Sequence, residues 1–153
     1  LDIHLMVFDP IIYIHDLASL HPRYITFHLE ATKDIVGTIE EIRKYGIGVG
    51  LSIKPNTDLY ELMPYLSFVD LVLIMSVEPG AGGQAFLPTS VNRLEELIKI
   101  REENHFSFQI EMDGGINKDT ISFVPTLDIA VSGSFVCQSE DFQKRIDELK
   151  NRM

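Results

Sequence analysis

Six times along this chain a short apolar run gives way to a turn and then to an amphipathic stretch. The apolar runs occupy residues 1–7, 25–30, 48–53, 71–76, 109–113 and 129–131. Several are continuously apolar rather than alternating, the pattern of strands buried on both faces. The stretches between them predict helices near 10–20, 34–44, 58–65, 88–104, 118–124 and 140–151. Ile35, Ile39 and Ile42 fall on one stripe of the second helix. Val91, Leu94, Leu97 and Ile98 do the same on the fourth. Unbroken alternation of strand and helix means a parallel sheet with right-handed crossovers. Six units are too few for a closed eight-stranded barrel. Two architectures remain: an open doubly wound sheet, or an α/β barrel lacking two units. No Gly-x-Gly-x-x-Gly fingerprint follows the first strand, which counts against a dinucleotide fold.

Helix starts are marked in the sequence. Asp9-Pro10 sets a capping side chain before a proline suited to the first helical position. Asn117 and Ser139 are placed to cap the fifth and sixth helices, and Glu140 and Asp141 suit a helix N-terminus. With no linker or low-complexity tract, residues 1–153 read as one domain. The net charge of −10, from 23 acidic and 13 basic residues, argues against nucleic acid or an anionic membrane as partner. It leaves a phosphorylated small molecule open. A lone Cys137 permits no internal disulfide and suits a reducing compartment, so a cytoplasmic location is expected. No signal peptide is visible, and the longest apolar run is too short to span a bilayer. The chain opens on Leu1 inside a strand-like run, which suggests a missing natural N-terminus.

Polar residues gather where strands end: His4, His28, Glu30, Lys54, Ser76, Asp113 and Ser134. In a barrel, this is the end that carries function. The run at 69–75 feeds directly into Ser76-Val77-Glu78-Pro79-Gly80-Ala81-Gly82-Gly83-Gln84. A glycine-rich turn between strand and helix lets backbone N–H groups approach an anion such as phosphate. The same segment also reads as an ordinary turn. Gly133-Ser134 after the last strand repeats the choice, and Gly114-Gly115 supplies a third such turn. His4, in an otherwise apolar strand, is either a core histidine bonded to a neighbour or a metal-ligating or proton-relay group. Asp113 is either a turn-forming aspartate or an acid/base or metal-binding carboxylate. Glu111 shares its face, while Ile110 and Met112 point to the other. Met6, Met75 and Met112 read first as packing residues, and a methionine near an enolate could also exclude water. Cys137 reads as a small buried or half-buried filler.

Taken in order, Leu-Asp-Ile-His-Leu-Met-Val, Ile-Thr-Phe-His-Leu-Glu-Ala, Val-Asp-Leu-Val-Leu-Ile-Met-Ser-Val-Glu-Pro-Gly, Gly-Gly-Gln-Ala-Phe, Ile-Glu-Met-Asp-Gly-Gly-Ile and Val-Ser-Gly-Ser closely resemble the ribulose-phosphate 3-epimerase family. The resemblance runs over essentially the whole chain. It implies a TIM (β/α)8 barrel, here N-terminally incomplete, with the third to eighth strands present. It implies metal-dependent interconversion of ribulose 5-phosphate and xylulose 5-phosphate by two-base proton transfer through an enediolate. His4 matches a metal ligand that also touches substrate, and Asp113 matches a metal ligand that doubles as acid/base. The second histidine and aspartate of that site belong to the second barrel strand and have no counterpart here, so this chain alone is expected to be inactive. By the same resemblance Gly80, Ala81, Gly82, Gly83, Gly114, Gly115, Gly133 and Ser134 contact substrate and its phosphate. Met6 and Met75 flank the reactive carbon. The cofactor implied is one divalent ion, with zinc, iron, manganese and cobalt all suited to such donors. A homo-oligomer is expected.

The chain also departs from the family pattern. Ala81 replaces a usual phenylalanine and Lys54 a usual asparagine. The usual Ala-Gly-Ala-Asp is Leu20-His21-Pro22-Arg23 before one strand and Pro125-Thr126-Leu127-Asp128 before another. Two further readings follow: a hexulose-6-phosphate 3-epimerase, or a catalytically silent protein that binds sugar phosphate.

Overall fold

The computed structural model describes residues 1–80 and 83–152. The turn residues Ala81 and Gly82 lie outside them. Six strands form one sheet: β1 (Asp2–Leu5), β2 (Tyr24–His28), β3 (Gly48–Ile53), β4 (Leu71–Met75), β5 (Gln109–Asp113) and β6 (Ile129–Val131). All pairs are parallel and the strand order follows the sequence. A doubly wound sheet would reverse direction from its first strand, so that architecture is excluded. The sheet curls into part of a barrel wall, an incomplete TIM barrel whose β1 and β6 stand at opposite edges.

Each face of the wall has its own core. Ile25, Phe27, Val49, Leu51, Val72, Ile74, Ile110 and Met112 point outward. They pack on Ile14 of α1 (Ile11–Ala18), Ile39 and Ile42 of α2 (Ile35–Lys44), and Leu94 and Leu97 of α3 (Thr89–Glu103). The inner face carries Tyr24, Leu71, Leu73 and Met75, with Ile129 against them. Buried Thr26, His28, Ser52 and Glu111 share that face. The two predicted helical stripes lie as expected, with Ile35, Val91 and Ile98 half-buried at their margins. The Asp34 side chain caps α2 by accepting from Gly37 N at 2.9 Å. At the opposite end of the wall from the strand termini, Asp70 and Asp128 accept from Val49 N (2.8 Å) and Ile110 N (2.7 Å), each stitching one strand to the next.

Four helix expectations need correction. Residues 58–65 hold the 3-10 turn Leu59–Leu62 rather than a helix, and a second 3-10 turn, Leu66–Phe68, follows them. Pro64 has no N–H to give to the carbonyl one turn back. Residues 118–124 hold only the 3-10 turn Ile121–Phe123. There the Asn117 side chain accepts from Asp119 N and Thr120 N as a helix cap does, and the segment stops ahead of Pro125, which disfavours a helical residue before it. Asp9 does not cap α1, because it sits at φ 47° and its side chain makes no capping bond. At the C-terminus, α4 (Ser134–Cys137) precedes α5 (Phe142–Lys150), whose cap is Asp141 rather than Ser139. Cys137 is exposed, not a filler.

Candidate active site

The site is built from the C-terminal ends of β1, β2, β4 and β5. Parallel pairing sets His4 beside Thr26, so His28 lies one inward-facing position further along the neighbouring strand. The two imidazoles stack with centroids 5.0 Å apart, and their Nε2 atoms approach to 2.9 Å. One nitrogen must donate and the other accept. On its far side, His4 Nδ1 lies 3.8 Å from Asp113 Oδ2. His28 Nδ1, buried and without a hydrogen-bond partner among the described residues, lies 3.6 Å from Glu30 Oε2. Glu30 Oε1 in turn accepts from Lys54 N at 2.9 Å and from the Thr57 hydroxyl. Burial pushes the Glu30 pKa up. Contacts with His28, Thr57 and the Lys54 backbone outweigh it and bring the group down to about 2. The result is a row of four groups: Glu30, His28, His4, Asp113.

Asp113 is fixed from behind. Ser76 N donates to Asp113 O at 2.8 Å, and the Ser76 hydroxyl reaches Gly114 O at 2.6 Å. Buried Ser76 therefore fastens the ends of β4 and β5 together. Gly114 is required by geometry: φ is +125°, and a Cβ there would meet Val77 Cγ2 at 2.5 Å. Gly114→Ala should lower stability by about 2–4 kcal/mol, read from the urea midpoint. An unchanged midpoint would mean that the turn relaxes freely. Below Asp113, Glu111 is 5% exposed. Burial first, then the charges of Asp2 and Asp113, raise its pKa to about 8.

A cleft of about 450 Å³ opens above these strand ends. Met6, Met75, Asp113, Gly80, Gly83, Gly114, Gly115, Gly133 and Ser134 are among the residues that line it. Met75 is buried, and Met6 is 45% exposed beside the β1 edge. A smaller neighbouring cleft of about 230 Å³ is bordered by His28, Glu30 and Lys54, and shares Met6 and Gly80 with the first. Every predicted site residue among those described therefore lies at one end of the wall. Pairing of His28 with His4 was not legible from either strand alone, since it depends on register. The signal that could have found it was two histidines near the ends of consecutive parallel strands.

Among the described residues no group of three or more His, Cys, Asp or Glu is arranged to hold a metal ion. Two donors do converge. Metal–nitrogen and metal–oxygen bonds of about 2.1 Å let two ligand atoms stand up to about 4.2 Å apart, so the 3.8 Å between His4 Nδ1 and Asp113 Oδ2 fits half of a shared site.

The architecture and the site at its strand ends define a parallel α/β barrel enzyme with its polar groups at the C-terminal mouth. A family model described as the ribulose-phosphate 3 epimerase family matches residues 1–137, and the chain belongs to that family. Ribulose-phosphate 3-epimerase of Escherichia coli (strain K12) is 34% identical over 155 residues, covering 100% of this chain and 69% of the relative. The Mycobacterium leprae (strain TN) enzyme of the same name is 36% identical over 154 residues, covering 99% and 69%. The chain thus spans about two thirds of the length of these relatives. Among solved structures, the crystal structure of KGPDC from Streptococcus mutans superposes with a TM-score of 0.70 at 12% identity, covering 94% of this chain and 66% of that one. At that identity the match speaks for the fold. The relatives' shared name makes epimerisation of a pentose phosphate the activity of the family to which the chain belongs.

Proposed function

We propose that this chain supplies one half of a metal-dependent ribulose 5-phosphate 3-epimerase site, with Asp113 as the acid/base on its side of the substrate. The observation that carries this reading is the approach of His4 Nδ1 to 3.8 Å from Asp113 Oδ2, with Asp113 lining a cleft that Gly83, Gly133 and Ser134 also line. Epimerisation beside a ketone needs a proton removed from one face of the carbon and returned on the other. Asp113 would take or give that proton at its own face. Met75 and Met6 border the reacting end with side chains that exclude water without competing for protons. His4 Nδ1 and Asp113 Oδ2 would hold the divalent ion, which when bound supplies positive charge beside the developing enediolate oxygen.

In this reading the backbone N–H groups of Gly83, Gly133 and Ser134, residues that line the same cleft, would meet the phosphate and orient the sugar. Ribulose 5-phosphate titrated into the ¹⁵N-labelled chain should therefore move the amide signals of Gly83, Gly133 and Ser134 together, and inorganic phosphate should move the same set. Shifts confined to another part of the surface would contradict the proposed orientation.

A further inference from the structure

We infer that Glu30, acting through His28, sets the tautomer of His4 and keeps its Nδ1 bare toward Asp113. The inference concerns how a proposed ligand is prepared, so its consequence for metal rests on the function proposed above.

The Nε2–Nε2 contact of 2.9 Å holds a single proton between two rings. That leaves two arrangements. In the first, His28 carries its proton on Nδ1, facing Glu30. His28 Nε2 then accepts from His4 Nε2–H, and His4 Nδ1 is bare. In the second, every proton moves the other way: His28 Nδ1 is bare beside Glu30, and His4 carries Nδ1–H toward Asp113. The carboxylate that attracts a proton more strongly decides the direction. Glu30 stands 3.6 Å from His28 and Asp113 stands 3.8 Å from His4. The His28 side chain is 7% exposed against 17% for His4, so charge at the Glu30 end is less screened by water. Glu30 Oε1 is already held by Lys54 N and Thr57, which fixes Oε2 toward His28. These observations favour the first arrangement. Its outcome is a nitrogen lone pair aimed at the carboxylate that would share the ion, with the other ring N–H bonded away from it, the usual state of a metal-binding histidine. Glu30 and His28 are positioning residues in this scheme.

The test reads imidazole nitrogens by long-range ¹H–¹⁵N correlation in the metal-free, substrate-free chain at a pH where both rings are neutral. His28 should show Nδ1 protonated, the form that imidazole in water disfavours, and His4 should show Nε2 protonated. Nδ1–H on His4 in the wild-type chain would overturn the inference outright. Glu30→Gln preserves size and the bonds from Lys54 and Thr57 while turning an amide N–H₂ toward His28. It should flip both rings to the second arrangement and weaken Zn²⁺ binding, measured with the metal alone, by about 10–100-fold. No flip would remove Glu30 from the scheme, and a flip with unchanged Zn²⁺ affinity would break its link to the ligand. If Glu30→Gln does not fold, His28→Phe keeps the ring stacking and should leave His4 a mixture of tautomers. A His4 that stays purely Nε2–H in that variant would show that His28 is not what sets it. Failure of turnover with both tautomers as expected would count against the proposed activity and not against this arrangement.

Discussion

Asp113→Asn should leave ribulose 5-phosphate binding within a few-fold of wild type and lower turnover by about 10²–10⁴-fold, the range of one acid/base group. The assay is made in the protein that carries this chain. Asparagine keeps the shape of the side chain, and the bonds that Ser76 donates to the Asp113 and Gly114 carbonyls do not involve the carboxyl group. What is lost is a group that can take a proton, together with one anionic ligand. Loss of kcat with KM nearly unchanged is the mark of a role in the transition state rather than in ground-state binding. Unchanged turnover would refute the role. A rise in KM alone would make Asp113 a substrate-positioning group.

The second large effect concerns Glu111 and stability. Its folded pKa of about 8 lies above the ordinary carboxylate value of 4.5. The folded state therefore binds the proton more tightly than the unfolded state does. Stability from this group is fully present below the ordinary value and is lost as pH rises through about 8. The loss is on the order of 3–5 kcal/mol if Glu111 stays buried throughout. Glu111→Gln, neutral at every pH, should match wild type near pH 5 and be clearly more stable near pH 9, by urea denaturation at both values. Parallel profiles for the two proteins would show that water reaches Glu111 or that Asp2 and Asp113 do not repel it.

Much of the wall was legible in the sequence because its strands are buried on both faces, which leaves uninterrupted apolar runs such as 71–75. The strand ends were legible from the glycines and prolines that follow them. Helices were harder where local bonds compete. The pattern near 58–65 is apolar enough for a helix, yet Pro64 breaks it. The pattern near 118–124 starts with a capping bond from Thr120 N to Asn117 but is cut short ahead of Pro125. At the site, His4 and Asp113 stood out as polar groups ending apolar strands, and their neighbourhood follows from the barrel's order. The row from Glu30 to Asp113 did not stand out, because it exists only once β1 and β2 are paired in one register.

Isotope exchange at carbon 3 tests the proposed chemistry most directly. Ribulose 5-phosphate incubated in D₂O with the metal-loaded protein that carries this chain should yield xylulose 5-phosphate with deuterium at carbon 3 and none at carbon 4, followed by NMR. Deuterium at another carbon, or xylulose 5-phosphate that retains its original hydrogen at carbon 3, would contradict proton transfer through Asp113.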